Sequence, residues 1–161
     1  MRLTCWLPLA GAAVLLSACD SSPDRVSGNE ALVARYYEEV FNRRNLDFLA
    51  EAMHPDVVGH GPGLQDEVRG LEDVAAFSAY VYDIYDDYTL TVNQLFGKGN
   101  VVQVRATVNA IHKPTGKSVE FFGLSVYRLE QGRIVEYWRA YDRLDLYEGQ
   151  LGGWRPEQDN R

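Results

Sequence analysis

Apolar residues recur at helical spacing in the first half of this chain and alternate with polar ones in the second. Leu32, Tyr36 and Val40, and beside them Val33, Tyr37 and Phe41, repeat every four residues behind the capping-box spacing Ser27-x-x-Glu30. This pattern predicts a first helix from about Glu30 to Asn42. Asn42-Arg43-Arg44-Asn45 interrupts it, and Asn45 is placed to cap a short second helix, Leu46 to Met53. Pro55 ends that helix, because its ring disfavours helical geometry at His54. Asp56 to His60 then reads as a short strand, and Gly61-Pro62-Gly63 as a loop. A third helix is expected from near Leu71, with Val74, Phe77, Val81 and Ile84 on one stripe.

Beyond the third helix the period changes. Tyr88 to Phe96 alternates weakly and stops at the turn Gly97-Lys98-Gly99-Asn100. Val101 to His112 alternates strictly, with Val102, Val104, Ala106, Val108 and Ala110 on one face and Gln103, Arg105, Thr107 and Asn109 on the other. Pro114-Thr115-Gly116 leads into a strand from Lys117 to Leu129, and Gln131-Gly132 into another from Arg133 to Tyr141. Helices followed by consecutive strands predict an α+β fold, an antiparallel sheet curled around three helices so that its inner face encloses a cavity. The cluster Tyr80, Tyr82, Tyr85 and Tyr88, interleaved with aspartates, marks a helix end and its rim.

The N-terminus carries a different message. Arg2 precedes an apolar run from Leu7 to Leu16 that closes on Leu16-Ser17-Ala18-Cys19, the layout of a secretory signal. The run is shorter than the ~20 residues of a membrane-spanning helix. The last four residues resemble the bacterial lipobox, which implies cleavage before Cys19 and acyl chains on its sulfur and new amine. An ordinary signal cut near Ala18 is the alternative. Either cut puts the protein outside the cytoplasm; the lipobox reading makes it a membrane-anchored lipoprotein of the bacterial cell envelope, facing the periplasm or the exterior. Residues 1–18 are then the signal, 19–29 a polar tether, 30–152 the folded domain and 153–161 a polar tail.

Composition narrows the chemistry. Cys5 falls in the signal and Cys19 at the lipidation site, so the mature domain offers no thiol for a disulfide, a metal or a nucleophile. The formal charge of −7 becomes more negative when Arg2 is removed. Such a chain repels phosphodiester backbones, so nucleic acid is not an expected partner. No nucleotide-binding glycine motif is present and no cofactor is implied. His54, Asp56 and His60 do not form a convincing zinc set, because a proline separates the first two and alternation points the third elsewhere.

Several segments in order resemble the SnoaL-like branch of the nuclear transport factor 2-like superfamily. They are Ala31-x-x-Ala34-Arg35-Tyr36-Tyr37-Glu38-Glu39-Val40-Phe41-Asn42, His54-Pro55-Asp56-Val57-Val58-x-His60-Gly61-Pro62, Pro114-Thr115-Gly116-Lys117-x-Val119-Glu120, and Tyr127 through Trp138, continuing from Asp142 to Gly152. The resemblance implies a cone-shaped cavity between sheet and helices. It also implies relatives that range from polyketide ester cyclases to isomerases, dehydratases, epoxide hydrolases and plain binding modules.

On the last strand, alternation groups Glu136, Trp138, Ala140 and Asp142 on one face. The resemblance matches Asp142 to the acid/base aspartate of SnoaL-like cyclases, and an apolar cavity would raise its pKa towards that task. Trp138 would be the apolar wall. Otherwise Asp142 caps the following segment or pairs with an arginine. His60 matches the family's histidine at the mouth, able to bond a ligand carbonyl or exchange a proton near neutral pH, or else it is bonded to backbone. Arg105 either faces the cavity and binds an anionic oxygen or is solvated outside. Ser125 stands where cyclase relatives often carry histidine, a departure that weakens the case for their chemistry. Glu136, Ser125 and Tyr36 complete the candidate ligand-binding set, with core packing the plainer role for Tyr36.

Three functions fit: an acid/base enzyme of isomerase, cyclase or hydrolase type using Asp142 with His60 or Arg105, a non-catalytic pocket for a small apolar ligand, and an envelope interaction module whose sheet face pairs with itself, as a homodimer, or with another envelope protein. Cyclisation of cytoplasmic polyketide intermediates is not expected of a protein tethered outside.

Overall fold

The computed structural model describes residues 28–61 and 67–142. Helix α1, Gly28–Tyr36, passes without a break into a π-helical stretch, Tyr37–Asn42. The wider winding brings Tyr36, Tyr37, Val40 and Phe41 all into the core, where two i,i+4 rows of a regular helix would diverge. Asn42 fixes the end of this stretch. Its side chain donates to the Leu90 carbonyl at 3.0 Å and accepts from the Leu90 N–H at 2.8 Å, as a strand neighbour would. A 3₁₀ turn, Leu46–Phe48, and helix α2, Leu49–Ala52, follow. Asn45 makes no side-chain cap there and instead donates to Glu39.

Strand β1, Met53–His60, begins two residues before Pro55 and is longer than the sequence pattern indicates. The two-residue strand β2, Val68–Arg69, and helix α3, Gly70–Ile84, come next. Strands β3 (Tyr85–Lys98), β4 (Val101–His112), β5 (Lys117–Glu130) and β6 (Arg133–Tyr141) complete the order. The fold is α+β, and its six strands form one sheet in the order β2-β1-β6-β5-β4-β3. The expectation of a purely antiparallel sheet needs correction. β1 pairs in parallel with β6, placing Gly59 beside Tyr137 and His60 beside Trp138, so the sheet is mixed.

Register shifts in β3 and β6 bend and twist the sheet, and α1, the π stretch and α3 pack on its inner side. One shift decides the chemistry. Arg128 pairs with Glu136 and Leu129 with Ile134, which leaves Val135 as an extra residue in β6. Before the bulge Ile134 faces the core; after it Tyr137 and Arg139 do. Glu136, Trp138 and Ala140 therefore share a face, as alternation requires, but it is the outer one. Asp142, just past the strand, donates its backbone N–H to the Phe122 carbonyl at 2.9 Å and is half-buried.

Candidate functional site

The inner face of the sheet is lined by tyrosine. Tyr127 from β5, Tyr137 from β6, and Tyr36 and Tyr37 from the first helix are all buried and in mutual ring contact, with centroids 5.7–6.1 Å apart. Glycine makes room for two of the rings. A Cβ on Gly59 would lie 2.2 Å from the Tyr137 ring, and one on Gly123 would lie 2.7 Å from the Tyr141 ring. Tyr127 donates to the Tyr37 hydroxyl at 2.7 Å, and Ser125, next in line on the same face of β5, is buried beside them.

Arg139 lies among these rings, only 7% exposed. Its guanidinium carbon stands 4.3 Å from the Tyr137 centroid and 5.5 Å from that of Phe41, and one N–H donates to the Tyr36 hydroxyl. Among the described residues no carboxylate pairs with it. Burial pushes the Tyr36, Tyr37, Tyr127 and Tyr137 hydroxyls above their ordinary pKa, against the opposing pull of the guanidinium. Burial alone would lower the pKa of Arg139, but the surrounding phenols outweigh it and the net direction is upward. The interior thus holds a permanent cation among protonated phenols.

Burial thins along β5 towards its start. Tyr127, Ser125 and Gly123 are buried, whereas Phe121 and Val119 are half-buried. Tyr141, edge-on to Phe121, and Tyr88 stand at this wider end. His112 is nearby, its ring 5.8 Å from Tyr85 and its Nδ1 2.9 Å from the Thr115 hydroxyl. None of the described interior positions is aspartate or glutamate.

The expected site residues separate into three groups. Tyr36 and Ser125 lie inside, Ser125 directly across the strand pair from Arg139. His60, Glu136 and Trp138 come together outside. His60 stacks on Trp138 at 5.2 Å, bonds Glu136 at 3.0 Å and approaches Glu67 at 3.2 Å, while Arg128 grips Glu136 through two nitrogens. His60 therefore does not stand at the mouth of the interior, and Trp138 is not its wall. Arg105 is also outside, donating to Gln94 at 3.0 Å. Asp142 stands half-buried just past the end of β6, its backbone N–H on the Phe122 carbonyl. For β6 the cause of the correction is the extra residue at Val135, which exchanges the two faces of that strand and puts Trp138 outside and Arg139 inside; Arg105 follows the uninterrupted alternation of β4. Cys19 lies outside the described residues. Among those described, no three His, Cys, Asp or Glu side chains stand close enough to hold a metal.

Arg139, Tyr37, Tyr127 and Tyr137 were missing from the sequence-derived set. The signal for Arg139 was available, an arginine between two apolar-ring positions in a strand, but only with knowledge of the bulge.

Comparison with solved structures supports the fold. An NTF2-like protein of unknown function from Burkholderia pseudomallei K96243 superimposes with TM-score 0.68 at 26% identity, over 76% of this chain and 97% of that one. IdmH from Streptomyces antibioticus, a candidate polyketide cyclase, gives 0.66 at 29% identity over 78% and 99%. An LEH-like epoxide hydrolase from Mycobacterium tuberculosis gives 0.61 at 20% identity over 78% and 91%, a likeness of fold alone. No curated protein matches the chain. The profile of the SnoaL-like polyketide cyclase family matches residues 31–150, and the chain belongs to that family.

Proposed function

We propose that this protein is a lipid-anchored envelope domain whose interior binds a small, largely apolar molecule. The observation that carries the reading is the ring-lined inner face of the sheet, which passes from buried to half-buried towards the start of β5. An enclosed apolar wall with a few convergent polar groups suits a small ligand. The polar groups here are Arg139, Ser125 and the tyrosine hydroxyls. With no carboxylate on the described interior positions, the geometry favours binding over carboxylate acid/base catalysis. The cyclase and epoxide hydrolase names of the relatives supply an enzyme reading by analogy of fold only.

Native mass spectrometry of the full chain extracted from membranes tests both halves of the proposal. The expected spectrum shows a mass increment for acyl chains at Cys19 and a retained small molecule, and Cys19→Ala releases unacylated protein from the membrane. An unacylated wild-type chain would overturn the anchor. Absence of a retained molecule, together with absence of thermal stabilisation by every member of a panel of small aromatic compounds, would overturn the binding role.

A second reading rests on the outer face. Phe122, Leu124 and Trp138 are 43%, 51% and 41% exposed on adjacent strands, an apolar group of the kind that marks interaction surfaces. A second copy of this chain is the partner proposed. Leu124→Arg should then convert a dimer into a monomer in sedimentation, and a monomeric wild type would dispose of this reading.

A further inference from the structure

Arg139 poses a question that binding of an apolar molecule leaves unanswered. A buried guanidinium is costly unless its charge and its N–H groups are matched. The rings of Tyr137, Phe41 and Tyr36 offset part of the charge through their faces. Ring faces, however, accept no strong hydrogen bond. Of the five N–H donors of a guanidinium, one is bonded to a described side chain, the Tyr36 hydroxyl.

Tyr36 extends the same logic. Its oxygen accepts from Arg139, so its own proton is left to donate, and burial keeps that proton in place. Among the described residues no acceptor is seen for it. Two donors thus meet at one point inside the domain, one fully charged and one polarised by that charge. Ser125 lies across the strand pair from Arg139 and is itself buried.

We propose that Arg139 and Tyr36 form a receptor for an anionic oxygen, and that the interior ligand is a small aromatic or conjugated carboxylate or enolate. The inference rests on the binding role proposed above and specifies the chemistry of its ligand. The tyrosine and phenylalanine rings provide the contact surface for a planar apolar body. The guanidinium and phenol orient its charged end. The protein's net negative charge opposes the approach of such a ligand from solvent, so selectivity comes from the buried pair and not from long-range attraction.

The test compares 2-naphthoate with 2-methylnaphthalene, which share a ring system and differ in charge. Titrated against the full chain at neutral pH, 2-naphthoate should bind at least tenfold more tightly and should shift the Arg139 Nε–H resonance. Arg139→Gln should abolish the preference, bringing the affinities of the two probes to within about twofold of one another, and Tyr36→Phe should reduce it severalfold. If Arg139→Gln does not fold, the resonance shift in the wild type still decides. Equal binding of the two probes, or naphthoate binding without a shift at Arg139, overturns the anion receptor and leaves the binding role standing. Binding of neither probe overturns both.

Discussion

The ring of Tyr137 occupies the space in which a side chain on Gly59 would begin, its Cζ lying 2.2 Å from that Cβ position. The two residues are neighbours across the parallel pair of β1 and β6. The contact presses the ring towards Arg139, whose guanidinium carbon is 4.3 Å from its centroid. Gly59 therefore serves the interior through absence of a side chain. Gly59→Ala should destabilise the fold by about 1–3 kcal/mol, the usual penalty for overpacking. Gly59→Ala combined with Tyr137→Leu should recover part of that loss, because the smaller side chain vacates the space. Urea denaturation of the three variants measures both effects; additive losses would show that the contact is not responsible.

The interior phenols should make the protein fail in alkali. Burial raises the pKa of Tyr36, Tyr37, Tyr88, Tyr127 and Tyr137 above the ordinary 10.0. Above that value the unfolded chain has lost these protons while the folded chain keeps them. Folded protein then binds more protons than unfolded, so stability falls as pH rises, by up to about 1.4 kcal/mol per unit for each such group. The full contribution is present below pH 10 and drains away above it. Phenolate absorbance should appear together with loss of circular dichroism, in one cooperative step. Tyr88→Phe should make that step less steep. Ionisation of these groups with the fold intact would contradict the burial described here.

How far the sequence could be read depended on strict periodicity. Val101 to His112 alternates without interruption, and β4 has those bounds, with Val102 through Ala110 buried as their spacing indicates. β6 also has its expected bounds, Arg133–Tyr141, yet its faces are exchanged beyond Val135. A single inserted residue reverses every side chain after it, and nothing local marks the bulge. That reversal moved Trp138 out of the interior and Arg139 into it. The parallel pairing of β1 with β6 was hidden for a different reason: the partners are far apart in sequence, and only the assembled sheet brings His60 to Trp138. The π-helical winding at Tyr37–Asn42 was equally hidden, since regular helical spacing fits the same apolar residues.

The outer cluster should be a source of acid sensitivity. Bonds from His60 first, then from Arg128, hold the Glu136 carboxyl below its ordinary 4.5. A depressed carboxylate pKa contributes stability above the unfolded value that is lost as pH falls through the folded one. Melting temperature should accordingly drop in that acid range, and Glu136→Gln should flatten the profile there while leaving the neutral-pH fold intact. A large loss of stability at neutral pH would show that the cluster has a structural role beyond its ion pairs, since such partly exposed pairs contribute modestly.

Direction of donation makes the buried Tyr127–Tyr37 pair asymmetric. Tyr127 donates to Tyr37 across 2.7 Å. Removing the Tyr37 hydroxyl strips Tyr127 of its acceptor in a place water does not reach, so Tyr37→Phe should cost about 1–3 kcal/mol, the penalty of an unsatisfied buried donor. Tyr127→Phe removes the donor itself and so strands no proton of this bond, and its cost should be nearer ~0.5–1.5 kcal/mol, a net hydrogen bond. Because phenylalanine fills almost the same space, packing contributes little to either figure. The double substitution should cost no more than Tyr37→Phe alone, since no orphaned hydroxyl of the pair remains. Denaturation midpoints for the three variants give the comparison, and equal losses in the two single variants would show that the donation does not run in this direction.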